Sequence, residues 1–347
     1  ELTPIDRRFA EATDRYAELF PADPKIVAII FKNGQLFLDA GDYDEAVKRF
    51  GLIVTKYPKD ENAGAAGDRI LAALARGKNY ANVELWAKKL KSAPSFKAPD
   101  EQKKLDKFIL DAVMKQGEVA VADQKFEVGA AHFLRAVKIA PLSEGAAQAL
   151  ANAGAAYEKA RLPERAAVTY LSINDKYPRS PLAAKSAFIA AALNEETAYF
   201  DRAAEASEVA GKGNGDGPLP AHATFNAGVL RQALGDPASA IALYEGYSKR
   251  FKGRKDADEV AFRVGVVYAD GGDDDRAART FMAYAAGHKS GVHAVEAYTR
   301  AGQAALKAGD DKLAATAADR ALDRFRKLSR GEQSGHVTWA AKARFLQ

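Results

Sequence analysis

The side chains that most often carry chemistry are few in this sequence and poorly spaced for it. Five histidines stand at His132, His222, His288, His293 and His336. No H-E-x-x-H motif occurs, and His288 and His293, five residues apart around a loop, make a poor metal pair. They read as surface or packing residues. The carboxylates Asp273, Asp274 and Asp275 fall at a turn between two helical patterns, where they serve as helix caps and solvated charge. There is no cysteine, which excludes disulfides, thiolate nucleophiles and cysteine metal sites. No G-x-S-x-G elbow is present. The glycine-rich GKGNGDGPLP, Gly211 to Pro220, lacks the G-x-x-x-x-G-K-[ST] order of a phosphate loop. Read as an EF-hand loop, it has Lys212 in place of the first acidic ligand and Ala223 in place of the final glutamate. No catalytic residue, metal or cofactor is expected, and the chain reads as a non-enzyme.

What remains is the question of which elements the sequence builds. Hydrophobic residues make up 48% and charged residues 28% of the 347 positions, the balance of a folded chain. Alanine is abundant and β-branched runs are few, which favours helix. No run of eighteen apolar residues is present, so no membrane span is expected. The chain opens at Glu1 with no charged and apolar leader pattern, and reads as trimmed by processing or by choice of boundary. The net charge is +5. The basic stretches Lys88 to Lys107, Lys249 to Lys255 and Arg324 to Arg330 read as solvated helix faces, so nucleic acid is not an expected partner.

An internal repeat organises the rest. GDYDEA at Gly41 to Ala46 recurs as GDPASA from Gly235, GDDDRA from Gly272 and GDDKLA from Gly309, the last three 37 residues apart. Seven residues upstream stand Gly34, Gly228, Gly265 and Gly302, and steps of 37 back from Gly228 reach Ala191, Gly154 and Gly117. A second column holds the same ruler at Ala314, Ala277, Ala240, Ala203, Ala166 and Gly129. Two columns in phase over six units without insertion mark a repeat architecture.

The recurring residues resemble the tetratricopeptide repeat. The first unit shows Gly34, Phe37, Gly41, Tyr43, Ala46, Phe50 and Pro58; the fourth shows Gly154, Tyr157, Ala166, Tyr170 and Pro178; the seventh shows Gly265, Tyr268, Gly272, Ala277 and Phe281. The resemblance implies an all-α, right-handed solenoid of about eight helical hairpins. Small residues let paired helices approach, aromatics fill the gap to the next repeat, Gly-Asp ends one helix and caps the next, and proline stops the second. The period exceeds the usual ~34 residues, an excess expected in the second helix or its following turn. Tyr57-Pro58, Tyr177-Pro178 and Phe20-Pro21 supply an aromatic-proline ending. With the long period, that ending is similar to the bacterial cell-envelope branch of the family: the lipoprotein D of the barrel-assembly complex, the Tol-Pal coordinating protein and the arrays of motility and secretion machines.

The expected organisation is a half repeat or capping helix over residues 1–26, repeats one and two over 27–90, a longer connection over 91–109, repeats three to eight over 110–331, and a half repeat or capping helix over 332–347. The connection is placed at KSAPSFKAPDEQ, Lys91 to Gln102, because repeat three starts nine residues late. Both ends read either as cuts through a longer array or as natural caps.

In this family the first helices line a concave groove, and the residue three before the small glycine points into it. Those positions hold Phe31, Met114, Ala151, Phe188, Phe225, Phe262 and Thr299, with Ala192, Val229 and Val266 four residues beyond the phenylalanines of repeats five to seven. The stripe Phe188, Phe225, Phe262 reads either as a surface for a partner's segment or as packing between first helices. Glu195, Gln232 and Gln303 are polar groove candidates, with Lys185, His222, Glu259 and Glu296 nearer the helix starts. The family's carboxylate clamp needs a lysine and an asparagine where this chain has phenylalanine and alanine or valine, so capture of a C-terminal carboxylate in that way is not expected. The resemblance implies a protein-interaction scaffold with a protein or peptide partner, in a periplasmic or envelope-associated complex. The alternative is a cytoplasmic regulator or co-chaperone-like adaptor.

Overall fold

A computed structural model describes residues 2–288 and 293–347. The described residues are helical with no strands, and they divide into two compact units, one ending at Arg161 and one starting at Leu162. The N-terminal unit runs α1 (Pro4–Leu19), α2 (Ile26–Ala40), α3 (Tyr43–Lys56), α4 (Asn62–Arg76), α5 (Tyr80–Leu90), a 3-10 turn (Pro94–Phe96), α6 (Pro99–Ala122), α7 (Phe126–Ile139) and α8 (Ala146–Lys159). The C-terminal unit runs α9 (Pro163–Lys176), α10 (Ala183–Glu196), α11 (Phe200–Gly211), α12 (Pro218–Ala233), α13 (Pro237–Arg250), α14 (Ala257–Asp270), α15 (Asp274–Gly287), α16 (Ala294–Lys307), α17 (Asp311–Arg326) and α18 (Arg330–Arg344). Within each unit every helix packs on the next, and α18 closes on both α16 and α17. The even-numbered helices from α2 to α16 are thus the first (A) helices of the repeats, and α3 to α17 the second (B) helices.

The period is visible in the element lengths. Helices α13, α14 and α15 have 14 residues each; a six-residue link follows the B helix and a three-residue link follows the A helix. The B-to-A link is the longer of the two. At the A-to-B turn the backbone enters the left-handed region in every repeat. Gly41, Gly235, Gly272 and Gly309 take it with φ of +75° to +82°. The equivalent places in the other repeats are Lys78, Gln124, Arg161 and Ala198, at φ of +55° to +61°, where a Cβ costs about 1–2 kcal/mol. The next residue caps the B helix: Asp42, Asn79, Asp236, Asp273 and Asp310 each accept from the N–H three residues on.

One packing rule runs through the array. The small residue of the A helix lies under an aromatic ring sixteen residues later on the B helix. A Cβ on Gly34, Gly117, Gly228 or Gly265 would stand 2.5–2.9 Å from Phe50, Phe133, Tyr244 or Phe281 respectively. Where the A helix carries a larger residue, the B helix gives way: Leu71 faces the column of Ala87, and Ala191 that of Ser207. In repeat eight Gly302 is matched with Ala318, and Leu346 from beyond α18 comes to 2.9 Å from a Gly302 Cβ instead. Volume is conserved across the contact because interiors pack at near-crystalline density.

The segment 91–109 is mostly helix. Its proline-rich start forms the 3-10 turn, and Pro99 then opens a 24-residue α6 as its first residue, with Asp100 and Glu101 in the first turn. Phe96 is 1% exposed and its ring would lie 2.6 Å from a Cβ on Gly67. The insertion therefore plugs repeat two, whose own B helix offers only Ala87 in the aromatic column. The glycines of Gly211–Gly217 also have a structural role. Arg250 donates to the carbonyls of Gly211 (2.7 Å), Gly213 (2.7 Å) and Gly215 (2.5 Å) and meets Asp216 at 3.3 Å, so the loop wraps a guanidinium.

Two charged clasps tie consecutive helices in the N-terminal unit. Asp14 on α1 accepts from Asn33 on α2 (2.9 Å) and pairs with Arg49 on α3 (2.5 Å). Glu84 on α5 accepts from Lys88 (2.6 Å), from Gln116 on α6 (2.9 Å) and from Arg135 on α7 (2.8 Å). Asn33 and Gln116 both precede the small glycine of their repeat, so one register position supplies both amides.

Candidate functional site

The A-helix face of the C-terminal unit holds most of the residues singled out from the sequence. Its side chains recur at one register position per helix. Nearest the helix starts are Lys185, His222, Glu259 and Glu296; one turn on come Ile189, Asn226, Arg263 and Arg300; then Ala192, Val229, Val266 and Gln303. Val229 is 38% exposed, and Ala192 and Glu195 are exposed.

The phenylalanine column lies one residue before the arginines and is turned toward the B helices. Phe262 is only 7% exposed. Its ring meets Phe281 at 5.2 Å, Tyr284 at 5.4 Å and His293 at 5.0 Å. Phe225 is half-buried against Tyr244 and Tyr247. Phe188 is half-buried against the cluster of Ala187, Ala210 and Ala223. In the N-terminal unit Phe31 is half-buried edge-on to Phe50 at 5.2 Å. Thr299, in the same column, is fully buried and donates to the Val295 carbonyl. These rings pack their own repeat, and Phe262 has little surface left for a partner. Gln232 is half-buried, accepts from the Tyr244 hydroxyl and donates to Asp270, both at 3.3 Å. Gln303 is half-buried.

Two residues missed in the sequence complete this face. Arg263 lies over the Phe225 ring (5.1 Å), and Arg300 over Phe262 (5.8 Å) and Trp339 (5.0 Å). Each arginine thus stacks on the phenylalanine of the preceding repeat, a cation–π step from one A helix to the next. Glutamates one turn back hold them, Glu259 at 3.6 Å and Glu296 at 2.8 Å. The signal was in the sequence: Arg263 and Arg300 are 37 apart.

Burial and neighbouring charge set the titration of the tyrosines beneath. Burial pushes the Tyr244 hydroxyl up, against the opposing pull of Arg263. Burial, then the carboxylates Asp258, Glu259 and Glu296, push Tyr284 to about 12. Its hydroxyl is buried with no hydrogen-bond partner among the described residues.

Of the histidines, His288 bridges the Tyr284 carbonyl (2.9 Å) and Asp258 (3.2 Å), and His293 meets Glu296 at 3.4 Å. Among the described residues no three His, Asp or Glu side chains gather to hold a metal, and no helix is long and apolar enough to cross a membrane. In the N-terminal unit a polar cleft of about 880 Å³ runs past Arg7, Glu11, Asp42 and Arg49. Arg49 is already engaged there by Asp14 and Glu45.

Residues 30–60 match the family model described as tetratricopeptide repeat. No curated protein matches the chain. Among solved structures, YrrB, described as a TPR protein with an unusual peptide-binding site, is 17% identical, with a TM-score of 0.35 over 59% of this chain and 97% of that one. BtubC from P. vanneervenii is 18% identical, with a TM-score of 0.32 over 73% and 92%. The P58(IPK) TPR domain is 14% identical, with a TM-score of 0.28 over 98% and 93%. The matched segment, the columns that recur every 37 residues and the succession of paired helices identify an array of tetratricopeptide-type helical hairpins, of the all-α solenoid class.

Proposed function

We propose that the chain is a non-enzymatic scaffold that binds a protein partner along the A-helix face of its C-terminal unit. Tetratricopeptide proteins act as protein-interaction scaffolds, and the observation that carries the reading here is the row Ala192, Val229, Val266 and Gln303. It places one side chain from each of four successive A helices at a single register, none of them fully buried. Arg263 and Arg300 flank that row with partly exposed charge. Apolar positions rimmed by charge are the usual make-up of a peptide-binding surface. Phe188, Phe225 and Phe262 act from below, by fixing the face; Phe31 does the same for its own repeat in the N-terminal unit. Glu195, Gln232 and Gln303 lie at its polar edge.

The partner is proposed to belong to a bacterial cell-envelope assembly, with the chain in the periplasm or at the envelope. The Tyr-Pro endings and the absence of cysteine support that placement. Cell fractionation tests it: recovery with cytosolic proteins alone overturns the placement.

The binding reading is tested by capture from cell extract. A Val229→Lys/Val266→Lys/Gln303→Glu variant that keeps its helical circular dichroism should lose the protein retained by the parent chain. A Glu245→Lys/Arg279→Glu variant, altered on the B helices, should keep it. Equal retention by both variants contradicts the proposal.

A further inference from the structure

We infer that the A-helix face of repeats seven and eight is built for an extended acidic segment of the partner, whose carboxylates, three residues apart, meet Arg263 and Arg300. This rests on the scaffold reading above and adds the chemistry of the occupant. The two guanidiniums sit at the same register of α14 and α16. Packed helices lie about 8–10 Å apart, and a segment in the extended polyproline II conformation advances about 3.1 Å per residue with three residues per turn, so that every third side chain shares one face. Every third side chain of such a segment therefore comes level with the next A helix.

The guanidiniums are prepared for anions. The rings of Phe225, Phe262 and Trp339 lie under the two guanidiniums and limit their freedom. The side chains keep 38% and 35% exposure. Each is held from behind by a glutamate on its own helix, Arg300 through Nε to Glu296. Farther along the face, Lys307 on α16 and Lys342 on α18, over the Trp339 ring at 4.5 Å, add positive charge. Asp270 opposes them but is engaged by Gln232. Val266, one turn beyond Arg263 on α14, suits a small apolar side chain at an intervening position. A carboxylate-bearing segment matches the arginines and lysines of this face, whereas a basic segment meets them head-on.

The test is fluorescence anisotropy of the full chain with labelled peptides of repeated Glu-Ala-Pro, Gln-Ala-Pro and Lys-Ala-Pro, proline keeping each extended. The Glu peptide should bind at least about tenfold tighter than the Gln peptide, as two charge-assisted contacts imply, and weaken with added salt. The Lys peptide should not bind. An Arg263→Gln/Arg300→Gln variant should erase the preference, and Arg263→Lys/Arg300→Lys should restore part of it. Equal binding of Glu and Gln peptides, a preference that survives the Gln variant, or no binding of the Glu peptide overturns the inference. If the Gln peptide binds as well and is lost from the Val229→Lys/Val266→Lys/Gln303→Glu variant, the acidic preference falls while the scaffold face stands. If no peptide binds, the inference falls and the capture experiment alone decides the scaffold reading.

Discussion

Gly265 lies under the ring of Phe281, so closely that a Cβ on the glycine would stand 2.6 Å from the ring carbons. On helix propensity alone Gly265→Ala should stabilise α14 by about 1 kcal/mol. The contact reverses the sign: overpacking a filled core costs about 1–3 kcal/mol. Urea unfolding followed by circular dichroism should show Gly265→Ala less stable than the parent. Gly265→Ala/Phe281→Leu should be more stable than the sum of the single effects. Strict additivity would mean that the two residues do not share one volume.

Ala198 holds the left-handed turn between α10 and α11 at φ +60°, a place that four other repeats fill with glycine. Ala198→Gly should raise stability by about 0.5–1 kcal/mol, since relief of the backbone strain exceeds the extra entropy glycine loses on folding. A lower melting temperature than the parent would show that the turn is not strained.

Glu84 carries a pH dependence. Burial alone would raise its pKa, but the hydrogen bonds from Lys88 and Gln116 and the charges of Arg135 and Lys88 outweigh burial and hold it below its ordinary value. A carboxyl with a lowered folded-state pKa stabilises fully above its unfolded pKa, about 4.3, and that stability is lost as pH falls through the folded value. Glu84→Gln should cost about 2 kcal/mol at neutral pH, in the range of hydrogen bonds to a charged group. It should also flatten the acid limb of a stability–pH profile. An unchanged acid limb would remove Glu84 from the clasp.

Tyr284 acts at the other end of the scale. Its folded pKa is about 12, above the unfolded value near 10. Between those values the unfolded chain has released the proton and the folded chain has not, so stability falls as pH rises through this window. Tyr284→Phe should remove that alkaline slope and cost little at neutral pH, because the buried hydroxyl has no partner among the described residues to lose. A large loss of stability at pH 7 would mean that the hydroxyl makes a bond.

The helical hairpins were legible because their contacts repeat. A glycine that must admit an aromatic ring sixteen residues on leaves a mark at every period, as at Gly34 and Phe50 or Gly265 and Phe281. Insertion 91–109 was harder: two prolines suggested an irregular connection, yet Pro99 with Asp100 and Glu101 is also a helix start. Phe262 shows why the face was only partly legible. Its column lies at the border between the B-helix side and the open side, so helical spacing alone does not decide which way the ring turns. Volume decides it: Gly265 leaves room for Phe281, and Phe262 fills the rest. The arginines that cover these rings interact across 38 residues, a relation seen only when the columns of successive repeats are read against each other.

The central claim, a partner held on the A helices, is tested most directly by site-specific photo-crosslinking in cells. A photoreactive phenylalanine analogue placed at Val229 or at Gln303 should capture the same single protein, and the same analogue at Glu245 or Arg279 on the B helices should capture none. Capture of that protein from the B-helix positions, with nothing from Val229 or Gln303, would contradict the account.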